Sequence, residues 1–397
     1  VANFDSQLSI IMKNIVYTTL CLIITACLND DKPKVINSNF SEIIDFSDAL
    51  SEDTIGRIYN LVDSICLIQL DTTSESVLSG ITVLVVSDNR IFVRDLYNGG
   101  SVAIFDRSGK YLKRIPSGEG PGELNHPSVI AYDQENRELT VYQPYCFKKF
   151  TDDGELLMAV SVDYVIHSLI SLSNGRGYLA SEIFNDGYSS CRISWIDSDF
   201  KILKQVSLIG KYSYRIETYA LNYDSNLNIS FSRWLDNNIY TISGDEIEVS
   251  KVIEMGDKEA ICDDIEHQVD YAAYPREKGK FSNNGGYCET RNYEIYHFDS
   301  YDQRCYYRHK KTGKLIGGKQ PIPWDSSVVD EPVLYCGVSG NFFVSLLEYV
   351  NCNFSDNYYY NLEGNKKILS PEQMEMLKNL TDEINPIIML YSLKDPE

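Results

Sequence analysis

Short, turn-bounded runs of β-branched and aromatic residues recur along the 397-residue chain at an interval near 45 residues, which predicts an all-β chain folded as a six-bladed β-propeller with about four antiparallel strands per blade. Three observations carry that expectation. The first is a repeated strand–turn–strand unit whose turn glycines, Gly109 and Gly154, stand 45 residues apart, with Asp199 and Gly244 at the next two steps of 45. Asp ranks close behind Gly in tolerating a left-handed turn, so it can stand in the glycine slot. The second is period-two alternation, as at Ile81, Val83 and Val85. The third is that a full set of helix-start signals occurs once, late in the chain. A blade cannot bury both faces of its sheet alone, so neighbouring blades and closure of the ring must supply the core. A pair of β-sandwiches has no reason to keep a constant 45-residue step.

The elements follow in order. Lys13 precedes Ile15 to Ile24, ten residues that are apolar apart from Thr18 and Thr19. A membrane-crossing helix needs about 20 apolar residues, so this run is too short for an anchor and has the form of a secretory signal peptide. Its end, Ile24-Thr25-Ala26-Cys27, resembles a bacterial lipobox. That resemblance implies cleavage between Ala26 and Cys27 and acylation of the Cys27 thiol. Met12-Lys13 would be the conventional start, which leaves residues 1–11 as an upstream extension. Residues 1–26 are therefore expected to be extension and signal peptide, 27–55 a flexible tether rich in Asn, Ser, Asp and Lys, and 56–397 the propeller. Asp30 and Asp31 resemble a surface-export signal of Bacteroidetes lipoproteins.

The first repeat unit reads Arg90 to Asp95, then Val102 to Leu112 around Gly109; the second reads Glu138 to Tyr142, then Phe147 to Leu157 around Gly154. Later units centre on Asp199, Gly244, Gly313 and Gly364, the last two after longer steps of 69 and 51 residues. The excess before Gly313 marks an insertion over about Met255 to Asn292, with a helical-looking stretch from Lys258 to Tyr271. The late helix starts at Ser370 as N-cap, with Pro371 at its first position and Gln373 completing a capping box, while Met374, Leu377 and Leu380 share a face. Beyond it, Pro386 to Leu393 has the apolar character of a buried strand and is expected to meet Ser64 to Leu70, within one blade or in adjacent blades, and so close the ring.

The block Phe105 to Leu112, the following Gly118-Glu119-Gly120-Pro121-Gly122-Glu123 and the closing Asn385-Pro386-Ile387-Ile388 resemble the six-bladed β-propeller lipoproteins of Bacteroidetes, distant relatives of NHL-type propellers. The resemblance spans roughly residues 60 to 395. It implies the fold and an outer-membrane lipoprotein facing the periplasm or the cell surface, and it implies no activity.

Charge and chemistry narrow the function classes. With 36 Lys+Arg against 57 Asp+Glu the formal charge is −21, and no basic cluster is large enough to neutralise a nucleic acid backbone. The Gly118–Glu123 loop lacks the third glycine of a dinucleotide fingerprint and the Gly-Lys-Ser/Thr of a P-loop, and it leads into a strand, so an inter-blade crossing is expected. The five histidines are scattered, and HExxH and GxSxG are absent. Asp263, Asp264, Glu266 and His267 read as a solvated acidic helix face rather than a metal cluster. No catalytic residue, metal or cofactor is therefore assigned. Eight cysteines beyond residue 27, widely spaced and without CxxC, are expected mainly as buried free thiols, with disulfides open to an exported chain.

Tyrosine carries the functional hint: 29 Tyr accompany 3 Trp. Tyr212, Tyr214, Tyr219 and Tyr223, then Tyr358 to Tyr360, lie in polar stretches. Within the insertion, Tyr271, Tyr274 and Tyr287 stand with Arg276, Lys278 and Lys280, a cationic island in an acidic chain. Aromatic faces supply contact area and the cations supply orientation for a polysaccharide or a surface or periplasmic protein. The expected function is thus a lipid-anchored, non-catalytic binding or scaffold module. The alternative is a propeller hydrolase or lyase acting on a carbohydrate or lactone-like substrate, with carboxylates and amides drawn from several inner strands.

Overall fold

The computed structural model describes residues 42–52, 61–96, 99–172, 176–185, 189–209, 222–223, 229–233, 236–260, 279–299, 304–319, 337–347, 369–381 and 383–395. A strand β1 (Glu42–Asp45) and a helix α1 (Ser47–Ser51) precede β2 (Val62–Gln69). Blade one is β3 (Ile81–Val86), β4 (Arg90–Asp95), β5 (Ser101–Asp106) and β6 (Tyr111–Ile115). Blade two is β7 (Val129–Asp133), β8 (Glu138–Gln143), β9 (Cys146–Thr151) and β10 (Leu156–Ser161). Blade three is β11 (Ser168–Ser171), β12 (Tyr178–Asn185), β13 (Ser189–Ile196) and β14 (Ile202–Ile209). Blade four is β15 (Asn222–Tyr223), β16 (Ile229–Ser232), β17 (Asn238–Ser243) and β18 (Glu246–Glu254).

Blade five has a divided inner strand, β19 (Ser282–Asn283) and β20 (Cys288–Glu289), followed by β21 (Tyr293–Asp299), β22 (Arg304–His309) and β23 (Leu315–Lys319). Blade six takes β24 (Gly337–Ser339) and β25 (Phe342–Leu347), then β26 (Ile387–Leu393), which follows helix α2 (Pro371–Lys378). Its outermost strand is β2, antiparallel to β26 from Val62↔Leu393 to Gln69↔Ile387. The expected closure of the ring by the two ends of the chain is therefore present, and the chain folds as a six-bladed propeller.

Six hydrophobic clusters fill the six blade interfaces. Phe92 and Ile104 meet Ile130 and Leu139 between blades one and two. Ile388 and Leu390 meet Ile91 and Val93 across the closing interface between blades six and one. Helix α2 has the expected capping box, with Gln373 N donating to Ser370 Oγ at 3.2 Å and Ser370 N to Gln373 Oε1 at 2.8 Å. Gln373 Nε2 also donates to the Ile65 carbonyl at 3.0 Å, tying the helix to β2.

The turn glycines behave as expected at Gly109 (φ 91°) and Gly154 (φ 80°). A Cβ on Gly109 would stand 2.1 Å from the Gln69 carbonyl oxygen, so this turn is fitted against the closing strand. In blade three the slot belongs to Phe200 (φ 65°), one residue later than Asp199. Phe200 N donates to the Asp197 carbonyl at 3.1 Å, just as Gly109 N donates to Asp106 at 3.0 Å. The left-handed backbone costs Phe200 about 1–2 kcal/mol. Burial of its ring, stacked on Phe147 at 4.3 Å, opposes that cost.

Part of the stretch 27–55, expected as a flexible tether, is ordered against the propeller. Glu42 to Asp45 pair in parallel with Lys251 to Glu254, and Ile44, Phe46 and Leu50 are buried, so residues 42–51 form a strap on the outside of blade four. Ile44, Phe46 and Leu50 are spaced to bury one side of the segment, which its polar composition concealed. The Gly118–Glu123 loop is the inter-blade crossing expected of it: Lys148 Nζ, from blade two, donates to the carbonyls of Gly120 at 3.2 Å and Glu123 at 2.5 Å. The Cys288 and Cys305 thiols are buried, whereas the Cys66 thiol is exposed. The stretch 261–271, Asp263, Asp264, Glu266, His267 and Gly364 lie outside the described residues.

Candidate functional site

The two faces of the ring differ in their connections. On one face, the turn face, the hairpins are short, and the longest spans residues 172–177. On the other, the loop face, each outer strand crosses to the next inner strand, and residues 210–221, 255–281, 320–336 and 348–386 connect strands there. Long connections gather where function is usually carried, on a rigid scaffold. Tyr212, Tyr214 and Tyr219 belong to the first of these connections, Tyr271, Tyr274, Arg276 and Lys278 to the second, and Tyr358 to Tyr360 to the last. All of them lie outside the described residues, as does the side chain of Tyr223.

The described stem of the insertion is well braced. Glu259 and Phe281 form a parallel bridge, with Ala260 N donating to the Phe281 carbonyl and Phe281 N to the Lys258 carbonyl, both at 2.8 Å. Lys280 Nζ donates to the Asp257 carbonyl at 2.6 Å, and Asn237 Nδ2 to Glu259 Oε1 at 2.8 Å. The strap supports this shoulder from outside. Phe46 packs against Tyr296, Phe298 and Tyr306 with ring centroids 5.1, 4.8 and 5.7 Å away. Arg308 pairs with Glu42 of the strap and with buried Glu294 at 2.9 Å, while Lys251 meets Glu294 at 3.0 Å.

Tyr287 is not the solvent-facing aromatic that its sequence neighbourhood suggested. It is 1 % exposed, accepts from Lys251 Nζ at 3.0 Å and packs edge-on against Tyr296. Its placement follows from the divided inner strand: β19 and β20 both pair with β21, and residues 284–287 bulge between them. Asn283 Oδ1 accepts from Gly285 N at 3.1 Å, and Asn284 Oδ1 accepts from Gly286 N at 2.8 Å. Asn283 Nδ2 reaches the Asp236 carbonyl at 2.6 Å, which joins blade five to blade four. The run Asn283-Asn284-Gly285-Gly286 is a turn-forming sequence inside a blade and was the available signal for this bulge.

Behind it lies a buried polar group that no sequence motif announces. Arg233, 1 % exposed, donates from Nε to Asp236 Oδ2 at 2.8 Å and from Nη1 to the Leu208 carbonyl at 3.1 Å. Tyr240 donates to the same Asp236 oxygen at 2.7 Å. Burial, with Asp236 beside it, pushes the Tyr240 hydroxyl well above the ordinary tyrosine range. Burial likewise raises Tyr287 and Tyr296, each also facing Glu294. These hydroxyls stay protonated and act as hydrogen-bonding groups, which suits a rigid support better than a proton-transfer centre. Among the described residues, no three His, Cys, Asp or Glu side chains stand together as a metal-holding group.

A protein of Bacteroides fragilis described as exported has a similar structure, with 16% identity, a TM-score of 0.67, and coverage of 89% of this chain and 100% of its own. A Bacteroides vulgatus protein of the DUF4221 family gives 10% identity and a TM-score of 0.47, covering 84% of this chain and 97% of its own. At these identities the first likeness speaks for the fold alone. No curated protein sequence matches the chain significantly. A family model described as a domain of unknown function matches residues 41–392, and the chain belongs to that family, DUF4934.

Proposed function

We propose that this chain is an exported, lipid-anchored propeller of the Bacteroidetes envelope that binds a polysaccharide or a surface protein at its loop face without transforming it. The observation that carries the reading is the asymmetry of the ring: the connections 210–221, 255–281, 320–336 and 348–386 all join strand ends on one face, and the longest crossing between blades rises from a stem held by the Glu259–Phe281 bridge and its hydrogen bonds. Tyr271, Tyr274, Arg276, Lys278 and Lys280 supply the contact surface in this reading; Tyr287 is withdrawn from it because it is buried. The exported description of the Bacteroides fragilis neighbour supports the envelope address, and the lipobox-like Ile24-Thr25-Ala26-Cys27 supports the anchor. An NHL-like ancestry rests on the repeat motifs.

Replacing residues 261–278 with a short Gly-Ser bridge tests the site. The melting transition should be preserved, and retention on immobilised neutral and uronic-acid polysaccharides should be lost. Unchanged retention would move the site away from the insertion, and new reducing ends released from a polysaccharide would overturn the non-catalytic part. For the anchor, Cys27→Ala should abolish metabolic labelling with a fatty-acid analogue, and persistent labelling would refute it.

A further inference from the structure

Several arginines of this chain are matched to acids. Arg90 meets Asp153 at 2.8 Å, Arg114 meets Asp95 at 3.2 Å, Arg137 meets Asp152 at 2.7 Å, and Arg233 pairs with Asp236. Arg94 departs from that pattern. It is half-buried and forms no ion pair with any described residue; its Nη1 donates to the Ser128 carbonyl at a long 3.5 Å. Its Nε is buried without a partner. Burial alone lowers the guanidinium from its ordinary value, and no acid opposes that effect. A cation held partly out of water without an acid is costly, and in a chain with 57 acidic residues a partner was easily supplied. Packing of blade one therefore does not explain this residue.

Its surroundings are those of a small subsite at the loop face. In the β3–β4 ladder Ile81 pairs with Asp95 and Val83 with Arg94, which leaves Thr82 as the extra residue of a β-bulge beside Arg94. Thr82 Oγ1 is also buried without a partner. Bulges of this kind are common beside binding sites because they re-aim side chains. Along β4, Arg94 shares its sheet side with Phe92, which packs on blade two, and with Arg90, which reaches Asp153 there. The guanidinium thus stands at the crevice between blades one and two, where β7 begins. The crossing that carries Ser117 and Pro127 closes tightly over the adjacent turn: a Cβ on Gly99 would lie 2.5 Å from Ser117 Oγ, and one on Gly100 2.7 Å from Pro127 Cδ.

We propose that Arg94 forms a subsite for the carboxylate of a ligand, the chemical class being a uronic-acid unit of an acidic glycan. The planar guanidinium fork matches a carboxylate through two parallel hydrogen bonds, and the glycan follows from the reading of the loop face as a polysaccharide-binding face. The net charge of −21 does not forbid this, because charges more than about 8 Å apart in water are largely screened at physiological salt and the local cation decides. This inference rests on the reading of the loop face as a binding face, but it uses none of the insertion residues.

The test is thermal shift and isothermal titration of the full chain with D-galacturonate and tri-galacturonate, with galactose and inorganic phosphate as comparators. Both uronates should raise the melting temperature, and galactose should not. Arg94→Met, which keeps the length of the side chain, should weaken uronate binding at least about tenfold. Its unliganded melting temperature should equal or exceed that of the natural chain, since an uncompensated charge is removed. Arg94→Lys should bind with intermediate affinity, because the charge stays and the fork is lost. Four results would overturn the proposal: no uronate response in the natural chain, unchanged binding in Arg94→Met, a lowered melting temperature or loss of folding in Arg94→Met, or equal stabilisation by phosphate. The variant lacking 261–278 should keep its galacturonate response, so failure of the insertion as a site is separable from failure of Arg94.

Discussion

Replacing Asn385 with Ala should destabilise the closed ring far more than the loss of one polar side chain at a surface. Asn385 is buried where the chain enters β26, and it binds the connection that leads from β2 into blade one. Its Nδ2 donates to the carbonyls of Asp71 at 2.7 Å and Ser76 at 2.9 Å, and its Oδ1 accepts from Leu78 N at 2.8 Å. In the Ala variant the Asp71 carbonyl keeps Ser76 Oγ at 2.7 Å, so two groups, Ser76 C=O and Leu78 N–H, lose the partner the side chain gave them. Two stranded groups at about 1–3 kcal/mol each, with one further bond at about 1 kcal/mol, give a loss of about 3–7 kcal/mol. At about 2 °C per kcal/mol for a large domain, the melting temperature should fall by roughly 6–14 °C in calorimetry. Asn379→Ala, at an exposed position on the same approach, should change stability by less than about 0.5 kcal/mol. If Asn385→Ala melts within about 3 °C of the natural chain, the closure does not depend on this side chain.

Deleting residues 385–397 removes β26 together with its pairing to β2 and β25, so cooperative unfolding should disappear; a truncated chain with an unchanged transition would refute ring closure by these strands. Burial alone would raise the Glu294 carboxyl, but Lys251 and Arg308 outweigh it and hold its pKa below the ordinary value. That stability is present above the unfolded-state pKa and is lost as pH falls through the folded one, so the natural chain and Glu294→Gln should converge in melting temperature as the medium is acidified below pH 4.5; a constant gap would show that the pairs contribute nothing. Phe200→Gly relieves a left-handed backbone at about 1–2 kcal/mol but forfeits a buried aromatic worth about 3–5 kcal/mol, so chemical denaturation should show a net loss of about 1–4 kcal/mol. A stabilised variant would mean that strain dominates at that turn.

The 45-residue step marked the first four blades, the Ser370–Gln373 capping box the late helix and the apolar run 386–393 the closing strand, because each is written in local turn chemistry or in a repeat along the chain; Gly364, read as the sixth turn, instead falls in the connection between β25 and β26, since the outer strand of blade six comes from the other end of the chain. Local chemistry misjudged Asp199 by one position, since the ring of Phe200 had burial available between Phe147 and Tyr178 and could offset a backbone that Asp tolerates better. The same limit applies to the strap: nothing near Glu42 announces that Arg308, 266 residues away, will pair with it. Tyr287 shows the difference most clearly. Its neighbours in sequence are polar and read as an exposed loop, yet the bulge at 284–287 turns its ring into the interface between blades four and five. Arg94 was invisible for the complementary reason, because the want of an acidic partner among the described residues is a property of what the other blades bring to it. Periodicity and turn residues are written along the chain, whereas pairing, burial and the charge left uncompensated depend on contacts between segments hundreds of residues apart, and only the closed ring decides them.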